Sequence, residues 1–360
     1  MINVPIDFLK ENVNRYKKLA RGEKPDCAPF RLWLDNMFAC NYTGCPPHEY
    51  ARDWETMFEV QKKVNDRFYD LRDYSVDAGA MDIYYCEDRF RADQPQARPG
   101  RWLERDLDDF DRYFRPKCNF DEMDSVKRLA EGIVYFNSRL PKHKQVSHYF
   151  GVPGLMDLFS IFRGTTDFFT DLYDYPDKVE RIFSLLCERS LEWLEYVDQR
   201  WGGPKEHNNL FDKIDIGEDY CAYMPPDMFD RFVKPYTGRI FEKYKGKVVC
   251  SLHTDGDILP RGIHKLGELG IDELMGFSPN VDIKLFREAL PDVILGGNIA
   301  PISVMIHGAP DDVKKAARYC FETAGKNGKF VLCTGGAISM DAKEENVDAF
   351  LESVYEICRY

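Results

Sequence analysis

The chain has 360 residues, 44% of them hydrophobic and 31% charged, which is typical of a folded globular protein. Its formal net charge of −12 argues against binding to nucleic acid phosphates or to anionic lipid surfaces. Eleven cysteines without a CxxC pair, no apolar leader and no apolar run of about 18 residues lead us to expect a cytoplasmic protein with reduced thiols.

The first half of the chain has an irregular pattern. Residues 1–26 are predicted to form a helical N-terminal extension. Strands are then predicted at 27–34, 79–86 and 144–151, and helices at 48–72 and 153–200.

The second half alternates regularly between short apolar runs and amphipathic stretches. Strands are predicted at 210–217, 247–253, 273–278, 292–299 and 329–336. Helices are predicted between and after them at 226–245, 259–270, 282–290, 309–325 and 343–360. Strands that alternate with helices form parallel βα units with right-handed crossovers.

Three strands in the first half and five in the second make eight. We therefore predict a single α/β domain over residues 1–360, a (β/α)8 TIM barrel with N-terminal helical decoration. In such barrels the reactive side chains project from the carboxyl ends of the strands.

Potential metal ligands stand at three of the predicted strand ends. His253 and Asp255 lie two positions apart, so they point to the same side of an extended backbone. Glu218 and Asp219 follow the neighbouring strand, and Cys333 lies on the last one. Zinc accepts such a mixture of N, O and S ligands, and catalytic zinc keeps an open position. We predict His253, Asp255 and Cys333 as ligands, against the alternative that each is an ordinary buried residue.

Several motifs resemble the uroporphyrinogen decarboxylase superfamily, which comprises decarboxylases and zinc-dependent cobamide methyltransferases built on (β/α)8 barrels. The resemblance spans residues 6–357 and is carried by the motifs PPDMFDRFVKPYTGRI (225–240), LHTDGD (252–257), GIDEL (270–274), GGNIAP (296–301), HGAPDDVKKA (307–316) and LCTGGAIS (332–339) with EENVDAF (344–350).

The methyltransferase branch is the better match. Where that branch has a zinc-binding His-x-Cys-Gly, this chain has His253-Thr254-Asp255-Gly256. The resemblance thus implies a metal role for His253 and for Asp255, which replaces a cysteine. It places the second family cysteine nearer Gly336 than Cys333, and it implies catalytic roles for Glu218 and Asp219.

Fewer thiolates make bound zinc a stronger Lewis acid, which suits cleavage of a methyl ether. The resemblance therefore implies methyl transfer from a methoxylated aromatic compound to cob(I)alamin. The chain lacks the D-x-H-x-x-G signature of cobalamin-binding modules, so we expect a separate corrinoid protein as partner. The oligomeric state stays open, a homodimer being one arrangement.

Other polar and aromatic residues near predicted strand ends complete the candidate site. The 14% aromatic content supports an aryl-binding pocket. We assign substrate-binding roles to Trp33, Asp35, Tyr84, Tyr149 and Phe150, with Tyr85 as a further aromatic candidate, a proton-transfer role to His148, and a cofactor contact to Asn298, for which a turn role is the alternative.

Three other functions remain open at this point. Decarboxylation of a uroporphyrinogen is disfavoured, because FRLWLDNMFACNYTG (30–44) lacks the arginine-rich motif for a polycarboxylate. A methylcobamide:thiol methyltransferase would use the same zinc but favours sulfur ligands. The third is a barrel that binds a small molecule or partner without turnover.

Overall fold

The computed structural model describes residues 2–76, 81–84, 88–89, 98–99, 106–110, 114, 118–146, 150–202 and 213–360. Its α-helices are α1 Ile6–Lys10, α2 Asn12–Ala20, α3 Asn36–Thr43, α4 Pro47–Arg52, α5 Trp54–Arg67, α6 Asp124–Asn137, α7 Leu155–Arg163, α8 Thr165–Asp174, α9 Pro176–Trp201, α10 Pro226–Phe232, α11 Thr237–Tyr244, α12 Ile263–Gly267, α13 Ile283–Ala289, α14 Pro310–Cys320 and α15 Glu344–Glu356. Its strands are β1 Asp88–Arg89, β2 Arg98–Pro99, β3 Gly151–Pro153, β4 Lys213–Gly217, β5 Val249–His253, β6 Glu273–Met275, β7 Ile294–Gly296 and β8 Phe330–Val331.

The main sheet of the described residues is parallel, with strands β3 to β8 side by side in chain order. Helices connect successive strands, as parallel pairing requires. The predicted first strand, 27–34, runs beside the chain that follows β8, through parallel bridges from Phe30 to Leu332 and from Leu34 to Ile338. The chain therefore has the predicted α/β TIM-barrel-like fold, with the last strand meeting the first.

Neighbouring apolar residues of β6, β7 and β8 divide between two hydrophobic clusters. Outward-pointing residues such as Ile214, Leu252 and Leu274 join the large cluster formed with the helices. The inward-pointing apolar residues join a small second cluster, which consists of Met275, Ile294, Val331 and Cys333 with Tyr16 and Leu19 of α2. This alternation follows from the two-residue period of a strand. Helix α2 of the N-terminal decoration thus closes the amino end of the barrel.

Two predicted strands of the first half are wrong in their described parts. Residues 81–84 form a 3-10 turn, and 79–80 and 85–86 lie outside the described residues. The strand predicted at 144–151 begins only at Gly151. Short apolar runs do not distinguish strand from turn by periodicity, because pairing with a neighbour decides the conformation.

The described helices include none that is both long and apolar enough to cross a membrane.

A buried polar cluster occupies the barrel interior one layer below the strand ends. Lys213 Nζ lies 3.3 Å from Glu273 Oε2 and 3.6 Å from Asp215 Oδ2. Glu273 Oε1 and the neighbouring Ser251 Oγ have no hydrogen-bond partner among the described residues. Burial raises the pKa of Glu273 to about 8 and lowers that of Lys213.

We expect this buried polar cluster to make the free energy of unfolding depend on pH. Folded Glu273 holds its proton up to about pH 8, whereas unfolded glutamate loses it near 4.5. The stability that its protonation contributes is therefore complete below pH 4.5 and is lost as the pH rises through 8. In the wild-type protein we expect the free energy of unfolding to fall by on the order of a few kcal/mol over this pH range. Glu273→Gln should remove this fall.

Urea unfolding between pH 5 and pH 9 measures this decline. Glu322→Gln, at an exposed position, is the matched control and should keep the wild-type profile. Equal profiles for wild type and Glu273→Gln would contradict the prediction.

Candidate metal centre

Three side chains converge at the carboxyl ends of β4 and β5. His253 ends β5, Asp255 follows it, and Asp219 follows β4. His253 Nε2 lies 3.9 Å from Asp219 Oδ1 and 3.9 Å from Asp255 Oδ2. One ligand atom from each residue lies within 4.8 Å of the other two, which makes this a candidate metal-binding group of the described residues.

The His253 imidazole is oriented by its other nitrogen. Nδ1 lies 2.9 Å from the Met275 carbonyl oxygen, which can only accept a hydrogen bond. Nδ1 therefore carries a proton, and Nε2 is the nitrogen that faces the two carboxylates and could bind a metal. Glycine at 276 makes room for the ring, because a Cβ there would lie 3.0 Å from His253 Nδ1 and 2.5 Å from Trp33 Cζ3.

The two carboxylates crowd each other. The Asp255 backbone N–H donates to Asp219 Oδ1 over 2.9 Å. Burial and the Asp219 carboxylate raise the pKa of Asp255. The side chains of Asp219 and Asp255 are 39% and 49% exposed, so the group opens to the barrel mouth.

This donor set fits a divalent cation. An imidazole nitrogen and two carboxylate oxygens supply three ligands, and their two negative charges balance a 2+ ion. The cation would relieve the repulsion between the carboxylates, while the solvent-facing side leaves a position for substrate or water.

Comparisons with known proteins agree with this architecture. The family model "Uroporphyrinogen decarboxylase (URO-D)" matches residues 105–357. The chain belongs to the uroporphyrinogen decarboxylase family. A solved structure, "methyltransferase from Methanosarcina mazei", is 18% identical and superimposes with a TM-score of 0.72 over 96% of this chain and 98% of that chain. This similarity supports the fold.

A second solved structure aligns only in part. It is a B12-independent methionine synthase from Shewanella sp. W3-18-1 in complex with selenomethionine, 13% identical, with a TM-score of 0.35 over 57% of this chain and 59% of that chain. No curated protein sequence matches the chain.

In this uroporphyrinogen decarboxylase family member, Cys333 lies apart from the converging ligand atoms. Its side chain is fully buried in the apolar cluster inside the barrel, and burial raises its pKa to about 11. Asp219, which the sequence analysis assigns to catalysis, lies with His253 and Asp255 instead. Both residues lie two positions beyond the ends of their strands, β8 and β4. They differ in direction, because the Cys333 side chain packs in the apolar interior whereas the Asp219 carboxylate faces His253 and Asp255.

Glu218, the other catalytic candidate, is fully buried and faces helices α7 and α11. Its carboxylate accepts hydrogen bonds from Leu155 N, Met156 N and Thr237 Oγ1 at 2.9, 3.1 and 3.1 Å. Burial and the neighbouring Asp157 carboxylate raise the pKa of Glu218 well above its usual range.

Sequence reasoning missed Asp157. It lies in the first turn of α7 and accepts hydrogen bonds from Asp219 N and Tyr220 N at 3.0 and 3.1 Å. Burial and the Asp219 carboxylate raise its pKa to about 7. The signal in the sequence was an acidic residue three positions after Gly154, near the start of the helix predicted at 153–200.

Two of the predicted substrate-binding residues lie on the segment that meets β8. The Trp33 ring packs edge-on against His253, with 5.0 Å between ring centroids, and so lies beside the metal-binding group. The Arg31 guanidinium carbon lies 4.2 Å from the Trp33 ring centroid. Asp35 instead caps helix α3, because its carboxylate accepts the Phe38 N–H over 2.7 Å.

Three other candidates make contacts within the protein that give each a structural role. The Tyr84 hydroxyl lies 2.9 Å from Ser190 Oγ, and its ring is fully buried. Phe150 packs edge-on against Tyr244 of α11, with centroids 5.3 Å apart. The Asn298 amide donates to the carbonyls of Ser278 and Val281, so it holds the loop after β6. His148, Tyr149 and Tyr85 lie outside the described residues.

Proposed function

We propose that this protein is a methyltransferase that moves the methyl group of a methoxylated aromatic substrate to cob(I)alamin carried by a separate corrinoid protein. Zinc would be held by His253, Asp255 and Asp219. The observation that carries the proposal is the convergence of these three side chains at the open end of the barrel. The overall similarity to a Methanosarcina methyltransferase supports the same reaction class.

The composition of the metal-binding group favours ether cleavage over thiol activation. Among the described residues the group contains no thiolate, since Cys333 lies in the apolar interior. Sulfur-rich zinc keeps a bound thiolate nucleophilic, whereas nitrogen and oxygen ligands leave the metal more electron-poor. When bound, zinc would supply Lewis-acid stabilisation to the oxygen that loses its methyl group.

The chain's own residues prepare this reaction. The Met275 carbonyl keeps the proton on His253 Nδ1, so that Nε2 is free to bind the metal. The Trp33 ring forms an aromatic wall beside His253, against which a methoxyarene can stack. The open side between Asp219 and Asp255 admits the methoxy oxygen.

The proposed methyl transfer needs no oxidant or reductant besides the substrate and cob(I)alamin. The cobalt lone pair of cob(I)alamin forms the new cobalt–carbon bond as the carbon–oxygen bond breaks. The bonding pair stays on the oxygen, which leaves as a phenolate and takes a proton from solvent.

Exposed apolar side chains around the barrel mouth support docking of a protein partner. Tyr223, Leu259, Ile302 and Met340 are 55%, 56%, 64% and 37% exposed. They lie on the segments that follow β4, β5, β7 and β8, the same end as the metal-binding group. Exposed apolar groups in one region are typical of interaction surfaces.

An anaerobic screen of methoxylated aromatic compounds with cob(I)alamin tests the proposal. The zinc-loaded protein should convert the cob(I)alamin absorbance spectrum to that of methylcobalamin and release the matching phenol in equal amount. A parallel assay offers methylcobalamin and a thiol, and a third offers a uroporphyrinogen. Activity in either of these assays, with none in the first, would refute the proposed function.

A further inference from the structure

Two carboxylates, Glu218 fully buried and Asp157 half-buried, connect the segments after β3 and β4, since each accepts hydrogen bonds from the other's segment. Glu218, from the segment after β4, reaches the start of α7 after β3. Asp157, from the first turn of α7, reaches back to the segment after β4. We call Asp157 and Glu218 the carboxylate clamp.

Glu218 supplies one half of the clamp. The first N–H groups of a helix have no partner within the helix, and they favour a negative charge. Glu218 accepts from Leu155 N and Met156 N, and Thr237 Oγ1 donates to it as well. The Glu218 N–H donates to the His253 carbonyl over 2.9 Å, which links this half of the clamp to a metal ligand.

Asp157 supplies the other half. Its two oxygens accept the N–H groups of Asp219 and Tyr220 at 3.0 and 3.1 Å. Asp157 therefore fixes the backbone of Asp219. The Asp219 side chain is fixed separately, because its Oδ1 accepts the Asp255 N–H at 2.9 Å. These bonds restrict where the Asp219 carboxylate can lie relative to His253 Nε2.

Stability alone is a poor reason for this arrangement. Placing a fully buried and a half-buried carboxylate side by side costs desolvation of both groups, and a neutral side chain can cap a helix at lower cost. Groups that orient metal ligands, by contrast, are commonly carboxylates hydrogen-bonded behind the ligand. We propose that Asp157 and Glu218 are positioning residues that hold Asp219 in its metal-binding position. This inference rests on the metal centre of the proposed function.

Metal titration of the full chain tests the clamp, with Co2+ as a spectroscopic probe and Zn2+ in competition with a chelator. We expect Asp157→Ala to weaken metal affinity by about 10–100-fold and to change the Co2+ absorption spectrum. Asp157→Asn keeps one acceptor oxygen and should give an intermediate loss. Asp174→Ala, at an exposed position on α8, is the matched control and should bind as wild type does.

Amide hydrogen exchange supplies a readout that needs no metal. The Asp219 and Tyr220 amides should exchange faster in Asp157→Ala, while circular dichroism shows that the variant is folded. Unchanged affinity, spectrum and exchange would overturn the clamp while leaving the metal centre intact. A wild-type protein that binds neither ion would instead refute the metal centre, and the positioning role with it.

Discussion

Replacing His253 with alanine is expected to remove the metal from the protein and to abolish methyl transfer. His253 supplies the only nitrogen of the metal-binding group among the described residues, and its Nε2 lies 3.9 Å from a carboxylate oxygen on either side. Without it two carboxylates remain, which is too few ligands to retain zinc. We expect zinc content to fall from about one per chain to near zero, and affinity to fall by more than about 100-fold.

Elemental analysis after dialysis measures the zinc, and the cob(I)alamin assay measures the activity. His264→Ala is the matched control, because His264 is exposed on α12 and lies outside the group. Equal zinc in wild type and His253→Ala would refute the assignment of His253 as a ligand.

Replacing Gly154 with alanine is expected to destabilise the protein and to weaken metal binding together. A Cβ at this position would collide with the Glu218 carboxylate and would lie 2.5 Å from the Gly217 carbonyl oxygen. The backbone atom cannot rotate away, because the Gly154 N–H donates to that same oxygen at 2.6 Å. We expect a loss of about 2–3 kcal/mol in the free energy of unfolding, as for overpacked cores.

Gly238→Ala is the matched control for this change. Its Cβ would meet Leu269 Cδ2 at an ordinary 3.8 Å, and alanine is favoured over glycine within α11 by up to about 1 kcal/mol. Urea unfolding and zinc titration of both variants measure the effects. A Gly154→Ala protein as stable as wild type, with unchanged zinc affinity, would show that the close contact of Gly154 with Glu218 and Gly217 is not required.

The regular half of the barrel was predictable because its signals are local. Apolar runs and amphipathic stretches alternate from residue 210 onward, and each described strand β4 to β8 lies inside its predicted range. The first half was less predictable. There the segment 27–34 is held by single bridges to the chain after β8, a contact between opposite ends of the sequence that no local pattern encodes.

The sequence by itself determined the barrel and brought His253 and Asp255 to one side of a strand end, since a two-residue spacing on an extended backbone sets that direction. Only the tertiary structure decided which residue joins them. Cys333 and Asp219 both lie near strand ends. The Cys333 sulfur points inward and is buried, whereas the turn after β4 places Asp219 at the barrel mouth. Asp157 holds that turn from 62 residues away. Such a choice depends on strand register and on hydrogen bonds between segments, neither of which is present in the pattern of any one segment.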